Sequence, residues 1–247
     1  MVETFAMFGY GYGFGYPRFY FDPTYFLILI GVIISLFASA KVKSTYNKYS
    51  RVRSLSGMTG AQAAEQILRN AGIYDVRVQH VSGHLTDHYD PRNKTLNLSD
   101  SVYNSTSVAA IGVAAHEVGH AIQHATHYVP LKFRNSIVPV ANFGSTLSWP
   151  LILLGLFFGS LHYLITIGII FFSFAVLFQI ITLPVEFNAS NRAIRILGDT
   201  GILRGDEIGH TRKVLGAAAL TYVAAAATSI LQLLRLIILF GGRSRDE

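Results

Sequence analysis

Apolar and polar positions are grouped along this chain in long blocks rather than mixed evenly. Residues 24–40 carry no charged side chain, and residues 135–185 contain no Asp, Glu, Lys or Arg. A helix needs about 20 apolar residues to cross the ~30 Å hydrocarbon layer of a bilayer. The first block predicts a transmembrane helix over 24–40, and the lack of a basic leader and small-residue cleavage pattern marks it as a retained anchor. The second is long enough for two crossings and is broken only at Gly159-Ser160-Leu161-His162-Tyr163, so 135–184 predicts a transmembrane hairpin with a tight turn. A third block, 214–240, starts Ala-rich and carries Gln232 and Arg235 near its end. It predicts a fourth span; the alternative is three spans plus a re-entrant or interfacial helix.

Between Ser54 and Pro130 the pattern becomes that of a small soluble subdomain. Thr59 with Gln62 three residues on reads as a capping box that opens a helix through Ala61, Ala64, Ile67 and Leu68, closed at Gly72. Alternation then predicts three strands, 76–81, 85–89 and 95–99, with Asp90-Pro91-Arg92-Asn93 as the turn between the last two. From Ser107 the pattern returns to an Ala-rich helix over 107–126. The fold class expected is a mainly α membrane protein with a small β-sheet, a transmembrane helix bundle carrying a cytoplasmic subdomain. His80, His84 and His88 recur every four residues, but Gly83 and β-branched neighbours argue against a helix there, and they read as strand and turn histidines.

Composition narrows the class. With 51% hydrophobic and 14% charged residues in 247, a purely soluble globular chain is excluded. The absence of Cys removes disulfide frameworks, thiolate metal sites and cysteine nucleophiles, so any metal must sit on His and carboxylates. The net charge of +6 reads as topology and attraction to anionic lipid, not nucleic acid. Lys41, Lys43, Lys48, Arg51 and Arg53 follow the first span with no intervening acid, which orients the N-terminus outside. Segments 41–134 and 185–213 then lie inside, while Arg243 and Arg245 in the tail, 241–247, run against the rule. The Gly/Tyr-rich segment within 1–23 reads as an outer interfacial aromatic belt.

The chemistry lies in His116-Glu117-Val118-Gly119-His120 on the predicted 107–126 helix. Residues at i and i+4 lie one above the other on a helix, so two imidazoles converge on one metal. Glu117, about 100° round the helix, can reach a water on that metal. This H-E-x-x-H arrangement is that of a zinc hydrolase, with the carboxylate as general base. Its surroundings, residues 109–121, are otherwise almost wholly apolar, and buried polar groups must be satisfied.

A catalytic zinc wants a third protein ligand. A third His ten residues after the first, with Gly at position seven, is excluded because those positions hold Thr126 and Gln123. His124 and His127 remain minor candidates. Of the six Glu, Glu3 lies outside, Glu65 belongs to an exposed helix face and Glu247 is terminal, which leaves Glu186 as first choice and Glu207 as runner-up. Glu186 stands where the third span re-enters the interface, and Pro184 predicts a new helix starting there.

At these motifs the chain resembles the YugP-like family of bacterial membrane zinc metallopeptidases. The likeness covers nearly the whole length. It runs through Leu85-Thr86-Asp87-His88-Tyr89-Asp90-Pro91-Arg92, the segment from Ala115 to Gln123, Leu183-Pro184-Val185-Glu186-Phe187-Asn188-Ala189-Ser190, and the Ala-rich segment around Tyr222. The resemblance implies a gluzincin-type peptidase with His116, His120 and Glu186 as ligands of one zinc per chain and Glu117 as base. The HtpX-like and CAAX-processing zinc proteases, more distantly similar, place an Asp four residues after the ligand Glu to orient a metal His. Here that position is Ser190, with Asn188, Asn191 or Asp199 as other sources. Tyr222 and His210 are candidates to stabilise an oxyanion. A zincin also wants an edge strand for the substrate, expected at 85–89 or 95–99.

The function expected is a membrane-embedded zinc metalloendopeptidase of the bacterial inner membrane, cutting membrane or membrane-proximal polypeptides at the cytoplasmic face. Its partners are the substrate, the lipid bilayer and a further copy or adaptor, with no nucleic acid. The alternative is a non-catalytic zinc-binding scaffold, against which an intact Glu117 speaks. A metal transporter would need more polar groups in the spans than His162, Gln179, Gln232 and Arg235.

Overall fold

A computed structural model describes residues 22–241; the Gly/Tyr-rich segment, Glu3, Glu247 and the basic tail lie outside the described residues. Ten elements follow in order: α1 (Tyr25–Tyr49), α2 (Gly60–Asn70), β1 (Arg77–Val81), β2 (His88–Asp90), β3 (Thr95–Ser99), α3 (Val108–Ala125), α4 (Val129–Phe157), a 3-10 turn (Gly159–Leu161), α5 (Tyr163–Asp199) and α6 (Asp206–Phe240). Four helices, α1, α4, α5 and α6, are long and apolar enough to cross a membrane. The expected fold class, mainly helical with a small sheet and a helix bundle, is the one observed.

The local signals act as read. Thr59 Oγ1 accepts from Gln62 N, and Gln62 Oε1 accepts from Thr59 N, closing the capping box that starts α2. Ser107 caps α3 by accepting from Ala110 N. The sheet has the order β1-β3-β2, with β1 parallel and β2 antiparallel to β3. All five residues of β3 are buried. Leu96 and Leu98 meet Ile67, Ile111 and Val118 in a core that also receives Leu197, Leu203 and Leu215 from α5 and α6, which fastens the subdomain to the bundle.

Several boundaries differ from expectation. The second strand covers only His88–Asp90, because Gly83 and Leu85 both take positive φ, +120° and +56°, which no extended strand accommodates. The strand 95–99 is central, not an edge. Helix α5 does not restart at Pro184 but runs through it to Asp199. A proline inside a helix costs about 3 kcal/mol. Across this stretch α3 packs against α5, with Gln123 Nε2 donating to Val185 O at 2.8 Å. Helix α6 starts at Asp206, where buried Glu207 accepts from Leu55 N (2.7 Å) and Arg204 N (2.9 Å). These bonds give Glu207 a structural task and set it aside as a metal ligand.

Arg235, the cation within the fourth apolar block, faces the start of α1. Its Nε donates to Thr24 Oγ1 (3.2 Å), its Nη2 lies 3.6 Å from Asp22, and its guanidinium stands 4.8 Å from the Tyr25 ring centroid. Midway along the same pair, Thr228 donates to Gly31 O at 3.2 Å. Helices α4 and α5 form the hairpin, and they approach so closely that a Cβ on Gly144 would lie 2.6 Å from Phe171 O. Overpacking of this kind typically costs about 1–3 kcal/mol, so Gly144→Ala should lower the melting temperature of the detergent-purified protein, as followed by circular dichroism.

Candidate metal centre

His116 and His120 lie one turn apart on α3, and Glu186 reaches them from α5, two residues after Pro184. One ligand atom from each falls within 4.8 Å of the others, and this is the one such His/carboxylate group among the described residues. Glu186 Oε2 stands 3.3 Å from His116 Nε2 and 3.5 Å from His120 Nε2. His116 and Glu186 are buried, and the two imidazoles meet edge to face.

What allows the helices to bring these groups together is Gly119. A Cβ there would lie 2.7 Å from Ala189 O, so α3 and α5 touch through backbone at this level. Glu186 and Ser190, on either side of Ala189, are thereby carried to the histidines. Ser190 Oγ lies 3.0 Å from His116 Nδ1, and Gln123 Oε1 lies 3.0 Å from His120 Nδ1.

The hydrogen bonds of Gln123 fix a tautomer. Its Nε2 donates to Val185 O (2.8 Å) and Asn188 Oδ1 (3.0 Å), so its Oε1 can only accept. His120 must therefore carry a proton on Nδ1. The Ser190 hydroxyl can receive Nδ1–H of His116 in the same way, which leaves the Nε2 lone pairs of both rings aimed at Glu186. Glu186 Oε2 is buried and without a hydrogen-bond partner. Three electron-rich atoms converging in a buried site repel one another unless a proton or a metal cation joins them, and two imidazoles with one carboxylate form a donor set suited to zinc. The residues present fit a metal ion.

Glu117 stands beside this group with its Oε2 accepting from Tyr89 N (3.1 Å) on β2. Two clefts flank it, of about 210 and 340 Å³, and Asp87, Glu117 and Tyr222 line both. Val113, Leu215 and Ala218 give the smaller one an apolar wall, while Arg134, Asn135 and His124 bring polar groups to the larger. Burial raises the Asp87 carboxyl above its ordinary value, against the bonds it accepts from Ser99 N and Oγ (2.8 and 3.0 Å). Burial acts to lower His120, but the Glu186 and Glu117 carboxylates outweigh it and raise the imidazole above its usual range in the metal-free protein.

The structure thus brings together His116, His120, Glu186, Glu117, Ser190 and Tyr222, and places Asn188 one contact further out, bonded to Gln123 and Arg192. His210 does not belong with them. It stacks on Tyr49 at 4.8 Å, about 18 Å along α6 from Tyr222 by helical rise, and lines neither cleft. His124 is turned to Tyr89 OH (3.0 Å), His127 is exposed beyond the end of α3, and Asn191 is exposed. His80, His84 and His88 bond or pack separately, to Asp100, Tyr46 and Asn97. Sequence reasoning missed Gln123, although a glutamine three residues after a metal-type histidine in an apolar helix was visible; it also missed Asp87 and the Tyr89 amide.

Comparison with known proteins agrees with this geometry. A family model described as "Putative neutral zinc metallopeptidase" matches residues 24–241. The chain is 52% identical to the "Putative membrane protease YugP" of Bacillus subtilis (strain 168) over 222 residues, which are 90% of this chain and 98% of that protein. No solved structure matches.

Two outcomes follow from the site. Gly119→Ala should push α5 away and abolish stoichiometric zinc in elemental analysis of the purified protein, while Gly209→Ala, with open space around it, should not. Because His120 holds its proton above the ordinary imidazole range, a metal must displace that proton. Apparent zinc affinity in chelator competition should weaken as the pH falls through 7 to 5.

Proposed function

The chain belongs to the neutral zinc metallopeptidase family, and from that premise we propose that it is a membrane-embedded endopeptidase of the gluzincin type. One zinc per chain would be held by His116, His120 and Glu186. The observation that carries this reading is the buried, unpartnered Glu186 Oε2 facing two Nε2 atoms whose rings are oriented from behind by Gln123 and Ser190.

A zinc held there would supply Lewis acidity, lowering the pKa of a water toward ~7 and polarising a carbonyl. This chain's residues do the rest. Glu117 is pinned through Oε2 to the Tyr89 amide, which leaves Oε1 to take the proton of the attacking water and later return it to the leaving amine. Tyr222, on the wall shared by the two clefts, offers its hydroxyl to the developing oxyanion. The extended chain of a polypeptide substrate lies along β2, the edge strand next to Glu117, and the 95–99 strand is set aside for this role because it is central.

The setting is the bacterial inner membrane. Lys41, Lys43, Lys48, Arg51 and Arg53 favour the cytoplasmic side for the end of α1 and therefore for the site. Glu186 follows directly on the uncharged run 135–185, which supports a site at the membrane surface and substrates that are membrane or membrane-proximal proteins.

Glu117→Gln should keep the zinc and lower cleavage of a detergent-unfolded membrane protein by about 10²–10⁴-fold. Glu186→Ala should lose the zinc itself. Full zinc and full activity in Glu186→Ala would overturn the ligand assignment.

A further inference from the structure

The α1–α6 pair has a second face, distinct from the one through which Val42 and Tyr46 approach the metal centre. There a cleft of about 610 Å³ opens between the helices. Helix α1 lines it with Lys41, Thr45 and Lys48, and α6 with Lys213, Gly216 and Leu220. The spacings i, i+4, i+7 and i, i+3, i+7 make each set one stripe along its helix. The helices run antiparallel, since Tyr49 stacks on His210 at one end and Arg235 reaches Thr24 at the other. Lys48 and Lys213 therefore share a polar level, while Lys41 stands near Leu220 at the apolar level.

The cleft lacks any counter-charge. Among the described residues no Asp or Glu lines it, and none of the three lysines has a carboxylate partner. Lys48 makes only a cation–π contact with Tyr49, at 5.5 Å. The Thr45 hydroxyl makes no hydrogen bond among the described residues, so it has a proton to donate. Gly216, with no Cβ, keeps the space between the stripes open.

Depth along the bilayer normal identifies the ligand class. Lys41 is the first charged residue after the apolar stretch 24–40. From Lys41 to Lys48 the helix rises about 10 Å, enough to cross the ~5–8 Å depth of one headgroup layer. Phe37, one turn before Lys41 on the same stripe and 62% exposed, continues the cleft as an apolar strip into the span. A cationic pocket that is open above to an apolar strip fits an amphiphilic anion. We propose that this cleft binds the phosphate of an anionic phospholipid, with Lys41, Lys48 and Lys213 around the phosphate and the acyl chains running past Phe37 and Leu220. The site is independent of the metal centre and of which leaflet it faces.

Native mass spectrometry of the full-length protein in neutral detergent tests this, with titrations of phosphatidylglycerol, phosphatidylcholine and inorganic phosphate. The variants are Lys41→Gln/Lys48→Gln/Lys213→Gln and, as a charge-matched control in the subdomain, Arg69→Gln/Arg77→Gln/Lys94→Gln. A lysine near anionic lipid contributes about 1 kcal/mol, roughly fivefold in affinity. The first variant should lose phosphatidylglycerol by roughly a hundredfold while the control keeps it, and phosphatidylcholine should bind weakly to all. Equal retention of phosphatidylglycerol by the wild type and the first variant would overturn the site, as would an equal loss in the control. Inorganic phosphate that displaces phosphatidylglycerol at matched concentration would assign the cleft to a free phosphate ion and overturn the lipid.

Discussion

The backbone contact between α3 and α5 at Gly119 and Ala189 is the constraint on which the site depends. Any side chain larger than hydrogen at position 119 would collide with Ala189 O. With the contact made, one turn of α5 delivers both a carboxylate and a hydroxyl to the two histidines. The spacing of residues 186, 189 and 190 is thus as much a part of the candidate metal centre as the spacing of 116 and 120. A helix interface holds both sets at once, without help from any loop.

Such a centre puts polar groups into an apolar helix interface, where each must be satisfied. The chain does this by stacking partners outward from the cluster. His120 leads to Gln123, Gln123 to Val185 O and Asn188, and Asn188 to Arg192, whose guanidinium stands 5.8 Å from the Tyr128 ring. Each link holds the one before it, so the imidazoles are oriented before a metal arrives. The same network bridges α3 to the stretch of α5 just after Pro184.

Much of this was legible in the residues. The H-E-x-x-H spacing, the short roster of acids that singles out Glu186, the capping box at Thr59 and the strand at 95–99 depend on local periodicity or on elimination; the box and that strand form where read and Glu186 stands beside the two histidines, while the second strand shrinks to His88–Asp90. What was not legible depends on tertiary packing. Pro184 reads as a helix start by local rules, yet α3 packs across it and the helix continues. Whether 95–99 is edge or centre depends on which strand β1 joins, a long-range parallel pairing that alternation does not encode. Gln123 carries only a weak signal, a glutamine three residues after a metal-type histidine, and its role shows in its complete burial and its bonds; His210 shares a helix with Tyr222 but is separated from it by more than three turns. Ser190 in place of an Asp could be named as an orienting group, but only the geometry distinguishes it from Asn188 and Asn191.

The central claim is a zinc held by two imidazoles and one carboxylate, and X-ray absorption at the zinc edge tests it most directly. The expected result is about one zinc per chain with two imidazole nitrogens and the remaining light donors as oxygen, all at ~2.0–2.2 Å. A spectrum with three imidazoles, or a zinc-replete preparation with no bound zinc, would contradict it.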